Sequence, residues 1–257
     1  MTPRVTILGS GTCVPYHRRG PAGYVLEGGG ETILVDSGSG TLDRLVRAGL
    51  DYRHLTAAAY THPHPDHTAD LAPLLFALNY TPGFQRVEPL AIFAPAGFDG
   101  FLAALEALYP GIRPRDYRIE LSAAGDSELA QGEVAVVSRR VVHAGLPAVA
   151  YRFEMGGVRV VFSGDTEYCP GIVDVARDAD LLVIEASSPF ADRDPGPHLT
   201  AALAGRVATE AGARKVVLTH QYPSCDEHDM AALAGEHFAG EVLVAEDLMV
   251  LEVPPRP

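Results

Sequence analysis

Short apolar segments alternate with polar turns rich in glycine and proline along the whole chain. Brief runs of valine, isoleucine and leucine predict strands, and apolar residues at helical spacing between them predict helices. Glycine turns join two pairs of these strands into β-hairpins. The predicted strands are 5–8, 24–27, 32–35, 57–60, 90–93, 134–137, 139–142, 148–154, 158–162, 179–186, 215–218, 241–244 and 248–253. The predicted helices are 42–48, 69–80, 98–108, 171–178, 201–211 and 229–239.

Two segments have a weaker pattern. Residues 111–132 contain several glycines and a proline, which predicts a loop with one short strand. Residues 189–197, rich in Asp, Pro and Gly, predict a loop. A weak repetition of the strand and helix pattern suggests duplicated halves, and we expect one domain over residues 1–257.

Seven residues between a predicted strand and a predicted helix, Thr61-His62-Pro63-His64-Pro65-Asp66-His67, hold three imidazoles and a carboxylate. Each proline keeps the residue before it out of helical geometry, so we expect an extended loop as far as Asp66. His62 and His64 would then point to the same side, whereas Asp66 and His67 diverge as the helix begins. One loop could therefore offer two ligands to one metal ion and two to a second. The alternative is a solvated polar loop, but a chain with ten histidines rarely places three so close together by accident.

This heptapeptide resembles the T-H-x-H-x-D-H signature of the metallo-β-lactamase superfamily. In that family the first two histidines bind one zinc ion, and the aspartate and the last histidine bind another. The resemblance implies three further ligands in the order His, Asp, His, and the chain has His143, Asp165 and His220 at the ends of predicted strands. For Asp165 the alternative is an ordinary turn aspartate. The resemblance also implies the family's α/β fold, an αββα sandwich of two mixed β-sheets flanked by helices.

Two glycine-rich turns are similar to the ribonuclease Z branch of the superfamily. They are Gly9-Ser10-Gly11-Thr12 and Asp36-Ser37-Gly38-Ser39-Gly40-Thr41, and the closing stretch 244–249 is similar to that branch as well. Asp36 has two interpretations that stay open here. It either orients the histidine loop or caps the helix that follows.

The resemblance further implies how the ligands divide between two ions. One ion would be held by His62, His64 and His143, the other by Asp66, His67 and His220, with Asp165 as the bridge. Imidazole and carboxylate ligands suit Zn²⁺ best, and also Mn²⁺ or Fe²⁺. A bound metal lowers the pKa of water from about 15.7 towards 7, so a hydroxide that bridges the two ions can act as nucleophile. We therefore expect a metal-dependent hydrolase.

His198, in Pro197-His198-Leu199-Thr200, resembles the histidine of ribonuclease Z-type phosphodiesterases that donates a proton to the leaving alkoxide. General acid help of this kind is worth roughly 10²–10⁴-fold in rate. Glu185 would orient His198 or a metal-bound histidine. We expect Asp66, His198 and Glu185 to be the catalytic residues, and Tyr222 to line the substrate pocket. The alternatives are a loop histidine at a helix start, a strand-end charge for Glu185 and plain packing for Tyr222.

Composition narrows the function further. With 257 residues, 47% of them hydrophobic, the chain can bury a full core. Its net charge of −13 and its single lysine, Lys215, argue against non-specific binding of nucleic acid.

We expect no transmembrane helix and no signal peptide, because the chain has no long apolar run and starts directly with a strand. Cys13, Cys169 and Cys225 are widely spaced and predict no disulfide framework, so we expect a cytoplasmic protein.

The expected substrate depends on what separates His143 from Asp165. Some ribonuclease Z members carry there a long arm that grips tRNA, whereas this chain has only a tight Met-Gly-Gly hairpin. We therefore expect a phosphodiesterase that acts on a small molecule, cyclic or nucleotide-like, as in the armless cyclic phosphodiesterases. We expect neither nucleic acid nor a membrane as partner. Since the ribonuclease Z branch often forms dimers, a homodimer is one expected state.

Three alternatives stay open. The first is a hydrolase of a carboxylic ester, lactone or thioester, for which His198 would be dispensable. The second is a tRNA 3′-processing endonuclease, ribonuclease Z itself, which would need an arm or a basic patch. The third is a metal-binding or sensing protein without hydrolytic activity.

Overall fold

The computed structural model describes residues 2–190 and 196–256, and these form two seven-stranded β-sheets with helices on their outer faces. The first sheet contains β1 (Arg4–Gly9), β2 (Gly23–Gly28), β3 (Glu31–Ser37), β4 (Ala57–Ala59), β5 (Leu90–Pro95), β6 (Ile119–Ala124) and β14 (Val250–Glu252). The second contains β7 (Ser127–Gln131), β8 (Val134–His143), β9 (Leu146–Met155), β10 (Val158–Phe162), β11 (Leu181–Glu185), β12 (Lys215–Thr219) and β13 (Glu241–Val244). The helices are α1 (Thr41–Arg47), α2 (Pro65–Thr68), α3 (Leu71–Tyr80), α4 (Phe98–Leu108), α5 (Pro170–Val175), α6 (Ala201–Ala211) and α7 (Met230–Gly235). Short 3₁₀ helices lie at Tyr52–His54, Pro110–Ile112 and Pro223–Glu227.

Both sheets are mixed, and each divides into an antiparallel and a parallel half. The first has the order β14-β1-β2-β3-β4-β5-β6, antiparallel up to β3 and parallel from β3 to β6. The second has the order β13-β12-β11-β10-β9-β8-β7, parallel from β13 to β10 and antiparallel from β10 to β7. The predicted αββα sandwich of two mixed sheets is confirmed.

Alternation along the strands builds three apolar layers. In β3, Ile33 and Val35 belong to the core between the two sheets, whereas Leu34 packs against the helices outside the first sheet. In β10, Phe162 faces the same central core and Val161 faces the helices outside the second sheet. Successive side chains of a strand point to opposite faces, so strands covered on both sides read as continuous apolar runs.

The same edge of the two sheets collects the polar residues of interest. Asp36 lies at the end of β3, Asp165 follows β10, Glu185 ends β11 and His220 follows β12. The histidine loop, residues 61–67, follows β4. Because parallel strands end at one edge, loops that are far apart in sequence converge there.

The segment 111–132 holds two strands where the sequence pattern predicted one. The strand β6 forms an edge of the first sheet and β7 an edge of the second, so this segment carries the chain between the sheets. Residues of both strands are mostly half-buried or exposed. An edge strand has an open side, and without a run of apolar residues its sequence signal is weak. The predicted strands 134–137 and 139–142, by contrast, are one continuous strand, β8.

The histidine loop becomes helical one residue earlier than predicted. Pro65 is the first residue of α2, so Asp66 already lies in this short helix and not in an extended segment. Proline suits the first helical position, because its φ is already helical and no N–H bond is lost there. The predicted helix 69–80 begins only at Leu71, after a break that separates α2 from α3. The helices α5 and α7 are shorter than predicted.

Part of one predicted loop is not described. Of residues 189–197, residues 191–195 lie outside the described residues. In the part of the chain that the structure describes, no helix has the length and apolar character needed to cross a membrane.

Helices α6 and α7 pack so closely that Gly205 has no room for a side chain. A Cβ atom at Gly205 would lie 2.3 Å from the carbonyl oxygen of Ala234. We expect Gly205→Ala to lower the free energy of unfolding by about 1–3 kcal/mol through overpacking. Gly235→Ala is the control, because a Cβ there would meet no atom within 4 Å, and it should be neutral or stabilising. Urea denaturation midpoints measure both, and equal midpoints would contradict the close contact.

Candidate metal centre

Asp36 is the residue that organises the histidine loop. It is buried at the end of β3 and has a left-handed backbone with φ of 54°. Its Oδ1 accepts the Thr61 backbone N–H at 2.8 Å, and its Oδ2 accepts both the Thr61 hydroxyl and His67 Nδ1 at 2.8 Å. One carboxylate thus fixes both ends of the loop against the first sheet. Of the two interpretations of Asp36, the geometry agrees with orientation of the loop.

A different carboxylate serves the start of α1. Asp70 accepts the backbone N–H of Gly40 at 3.1 Å and that of Leu42 at 2.9 Å. These are among the N–H groups that a helix start leaves without a partner. Capping of α1 is therefore assigned to Asp70.

The loop presents its side chains much as the alternating prolines predict. His62 and His64 point to the same side, with His62 Nε2 3.0 Å from His64 Nδ1. Asp66 and His67 follow in α2, with 3.9 Å between Asp66 Oδ2 and His67 Nε2. The loop therefore offers two pairs of donor atoms, one on each side of the helix start.

Three further side chains reach the loop from the second sheet. His143 is the last residue of β8, Asp165 follows β10 and His220 follows β12. A side chain at Gly164 would bring its Cβ within 2.5 Å of Thr61 Cβ, and its φ of 56° is left-handed. Glycine at this position therefore lets the segment before Asp165 approach the histidine loop.

The donor atoms form compact groups in which every atom lies within 4.8 Å of the others. The groups are His62, His64, His143 and Asp165, then Asp66, His67 and His220, and finally Asp165, His198 and His220. The first two groups have the composition that the sequence resemblance implied for two ions. Asp165 joins them, since its Oδ2 lies 3.7 Å from His143 Nε2 and 3.4 Å from His220 Nε2.

Hydrogen-bond partners define which ring nitrogen is free in the first group. The Thr61 hydroxyl already donates its proton and so accepts from His62 Nδ1 at 3.0 Å, while the Pro197 carbonyl accepts from His143 Nδ1 at 2.8 Å. Nε2 of both neutral rings then carries a lone pair, and these two atoms lie 3.0 and 3.1 Å from His64 Nδ1. A single proton on His64 could satisfy only one of them. A cation among the three nitrogens would satisfy all.

Two buried atoms where the first and second groups meet have no hydrogen-bond partner among the described residues. His67 Nε2 and Asp165 Oδ1 are both buried, and although they lie 3.2 Å apart they are not aligned as donor and acceptor. Unpaired buried polar atoms are costly and rare. The donor set as a whole therefore fits divalent cations, and imidazole with carboxylate is a ligand type that Zn²⁺, Mn²⁺ and Fe²⁺ accept.

Protonation favours cation binding at His62 and Asp165 and opposes it at His67. Burial lowers the pKa of His62 and keeps its ring neutral. Burial opposes ionisation of Asp165, but the charges of His220 and His67 more than offset it and hold its pKa well below the usual range. Burial likewise opposes protonation of His67, yet Asp165 and Asp36 raise its pKa well above the ordinary value. A metal ion that binds here has to displace the proton of His67.

His198 and Glu185 form a pair beside these groups. His198 Nδ1 lies 3.2 Å from both carboxylate oxygens of Glu185, which is buried and also accepts the Thr166 N–H at 2.6 Å. Burial opposes protonation of His198, but the hydrogen bond and the charge of Glu185 more than offset it and raise its pKa. The His198 ring centre is 5.1 Å from that of His143 and 5.5 Å from that of His220. A histidine that favours its protonated form thus adjoins the candidate ligands.

Tyr222 borders the same space and is half-buried. Its ring centre is 6.2 Å from that of His198 and 6.4 Å from that of His220. Burial, together with the thiol of Cys13 at 4.0 Å from its hydroxyl, raises the pKa of Tyr222 to about 12. The phenol is therefore neutral at pH 7 and can donate a hydrogen bond. All three cysteines are free thiols, and only Cys13 is exposed.

Several groups that hold the site in place were missed by sequence reasoning. The Pro197 carbonyl positions His143, and the Ser187 hydroxyl lies 3.1 Å from His220 Nδ1. A backbone carbonyl has no sequence signal at all. For Ser187 the available signal is its place at the end of Ile184-Glu185-Ala186-Ser187, which resembles the "HEAT" segment of the ribonuclease Z branch with Ile184 in place of the histidine.

Comparisons with known proteins agree with this geometry. The family described as "Beta-lactamase superfamily domain" matches residues 31–221. Ribonuclease Z of Salinispora arenicola is 34% identical over an alignment of 310 positions, which covers 99% of this chain and 97% of that protein. Because this chain has 257 residues, more than fifty of those positions have no residue of this chain.

Solved structures show the same architecture. The metallo-β-lactamase fold protein YhfI from Bacillus subtilis has a TM-score of 0.84 and 27% identity, covering 98% of this chain and 100% of that one. The short form of human tRNase Z has a TM-score of 0.78 and 24% identity, covering 98% of this chain and 99% of that one. The second likeness concerns the fold alone.

Asp36→Asn tests whether this carboxylate holds the donor groups together. Asparagine tolerates the left-handed backbone but accepts fewer and weaker hydrogen bonds from Thr61 and His67. We expect the affinity for Zn²⁺ to fall about 10–100-fold, as for other partners of metal-binding histidines. Asp70→Asn is the control, since it alters a carboxylate that binds the start of α1. Calorimetric titration with Zn²⁺ measures both variants, and an unchanged affinity in Asp36→Asn would contradict the assigned role.

Proposed function

The chain belongs to the metallo-β-lactamase superfamily, in its ribonuclease Z-like branch, and on this premise we propose that it is a phosphodiesterase with a dinuclear metal site. The observation that carries the proposal is the hydrogen-bonded pair of His198 and Glu185 beside two groups of metal-binding side chains. Phosphodiester hydrolysis needs a strong nucleophile and a proton for a poorly leaving alkoxide. Cations held by the two groups would supply the nucleophile, and His198 would supply the proton.

We assign the seven donor side chains to two divalent cations. One cation would be held by His62, His64 and His143, the other by Asp66, His67 and His220, with Asp165 in contact with both. When bound, the cations would lower the pKa of water and bind an oxygen of the substrate. In the first group the free lone pairs of His62 and His143 already face His64 Nδ1, so binding there requires little rearrangement, whereas His67 in the second group first has to lose a proton. Among the metals this donor set accepts, Zn²⁺ is our first choice.

His198 is our candidate general acid. Since Nδ1 bonds to Glu185, the proton that can be transferred is on Nε2. The side chain is 14% exposed, which limits competition from water without closing the ring off. Glu185 would raise the proton affinity of His198 and hold its orientation. Asp66, whose Oδ2 lies 3.4 Å from His220 Nε2, stays a candidate for both metal binding and catalysis.

We propose a small phosphodiester, cyclic or nucleotide-like, as the substrate. The support is the turn between β9 and β10, where Met155 pairs with Val158 and the left-handed Gly156 and Gly157 alone connect the strands. In some ribonuclease Z members the stretch between the residues that correspond to His143 and Asp165 carries the arm that grips tRNA. Tyr222 would contact the bound substrate from the rim of the site. A cytoplasmic location and a homodimer are further proposals that rest on the sequence.

Cleavage of tRNA is the second candidate, and the names of the relatives favour it over a small substrate. The specific observation is 34% identity to a ribonuclease Z along nearly the whole of both chains. It conflicts with our expectation that nucleic acid is not a partner, which rested on the net charge and the short hairpin. A net charge of −13 does not prevent a local basic surface, and Arg18 is a 56% exposed cation, although it forms an ion pair with Asp226 at 3.1 Å.

His198→Ala tests the proton donor. We expect the variant to lose roughly 10²–10⁴-fold in kcat on a diester with an alkoxide leaving group, but little on bis(p-nitrophenyl) phosphate, whose leaving group needs no proton. His54→Ala is the control, because it removes an imidazole that is 80% exposed on a 3₁₀ helix. Equal losses on both diesters would show that His198 does not act as the acid. If the metal-loaded wild type hydrolyses neither diester, an ester, lactone or thioester hydrolase replaces the proposal.

The substrate class is tested with two substrates for one metal-loaded preparation. We expect a higher kcat/KM for a 2′,3′-cyclic nucleotide than for a precursor tRNA with a 3′ trailer. Release of the trailer at the higher rate would assign ribonuclease Z activity instead. Arg18→Ala separates the two, since loss of an exposed cation should weaken the binding of the polyanionic tRNA more than that of the singly charged nucleotide, and the loss of tRNA affinity should shrink as the salt concentration is raised.

A further inference from the structure

The hydroxyl of Ser187 touches both the candidate second metal group and the proton-donor pair. Ser187 lies just past β11 and is buried. Its Oγ lies 2.7 Å from Glu185 Oε2, 3.1 Å from His220 Nδ1 and 2.9 Å from the His220 carbonyl oxygen.

A hydroxyl carries one proton and two lone pairs, which restricts how these contacts are made. Glu185 Oε2, an anionic oxygen at the shortest distance, takes the serine proton. The oxygen of Ser187 then accepts from His220 Nδ1–H, so the lone pair of His220 lies on Nε2. That atom is 3.4 Å from Oδ2 of Asp66 and 3.4 Å from Oδ2 of Asp165, on the side of the donor groups.

The main chain of His220 is constrained at the same place. Its φ of 53° lies in the left-handed region, which residues other than glycine seldom adopt. Because the proton of Ser187 is directed to Glu185, Oγ accepts from the ring of His220 and cannot also donate to the His220 carbonyl oxygen 2.9 Å away. The hydroxyl therefore restrains the ring of His220, and the strained backbone depends on other contacts.

We infer that Ser187 is a positioning residue that sets the tautomer and direction of His220 for the second metal ion and, through Glu185, links that ion's ligand to His198. The link is a continuous chain of contacts: His220 Nδ1 to Ser187 Oγ, Ser187 Oγ to Glu185 Oε2, and Glu185 to His198 Nδ1. The metal part of the inference needs only the donor groups, whereas the link to His198 rests on the proposed function.

The effect of Ser187 should be confined to one of the two ions. In the first group, His62 is oriented by Thr61 and His143 by the Pro197 carbonyl, which lie on other segments of the chain. Removing the Ser187 hydroxyl leaves those partners in place. A loss of general packing would weaken both ions alike, so selectivity distinguishes positioning from structural support.

Ser187→Ala is the test, with Zn²⁺ titration against a competing chelator as the measurement. We expect two binding steps in the wild type and, in the variant, a roughly 10–100-fold weaker affinity in one step only. His220→Ala identifies that step, because it should weaken the same one more strongly. Thr219→Val is the matched control. It removes the buried hydroxyl next to His220 in sequence, whose partner is the Tyr24 hydroxyl at 3.0 Å, and both steps should stay unchanged.

A second measurement needs no variant that could misfold. In the nitrogen NMR spectrum of the zinc-loaded wild type, His220 should show a protonated Nδ1 and a metal-bound Nε2. Unprotonated Nδ1 in His220, or equal weakening of both zinc steps in Ser187→Ala, would overturn the inference. These readouts do not involve phosphodiester turnover, so an enzyme inactive on diesters could still show them and would contradict the proposed function alone.

Discussion

The site depends first on one buried carboxylate, that of Asp36. Burying a charge costs several kcal/mol unless hydrogen bonds compensate for it, and here three donors from Thr61 and His67 do so at 2.8 Å each. The same three bonds determine where the histidine loop lies. His62 is oriented through the Thr61 hydroxyl, and His67 is bonded to Asp36 directly. The position of both cation groups is therefore set by the end of β3. Asp36 makes these bonds from a left-handed backbone, with φ of 54°.

The second constraint is the convergence of two sheets at one edge. The first sheet supplies the histidine loop, and the second supplies His143, Asp165, Glu185 and His220 from successive strand ends. In both imidazoles from the second sheet, Nδ1 is bonded to a fixed partner. For His143 the partner is the Pro197 carbonyl, and for His220 it is the Ser187 hydroxyl. This is how proteins fix the tautomer of a metal-binding histidine. The proton donor is held in the same manner by Glu185, so catalytic group and ligands share one supporting framework.

Much of this could be predicted from sequence, because its signals are local. Three imidazoles and an aspartate within one loop are chemically distinctive, and His143, Asp165 and His220 follow apolar runs that are easy to recognise. The second of the two strands in 111–132 and the partners of Nδ1 in His143 and His220 could not be predicted. The strands β6 and β7 lack a continuous apolar pattern, and a partner such as the Pro197 carbonyl depends on backbone position and not on residue type. For Asp36 the sequence left two roles open, because an aspartate before a helix can cap that helix or bond to a distant loop.

The dinuclear centre is tested most directly by anomalous diffraction at the zinc edge from crystals of the zinc-loaded protein. We expect two peaks at about the 3.5–4 Å separation of two-metal sites, one bound by His62, His64 and His143 and the other by Asp66, His67 and His220, with Asp165 touching both. A single peak, or two peaks of which neither contacts Asp165, would contradict the dinuclear centre on which the proposed chemistry rests.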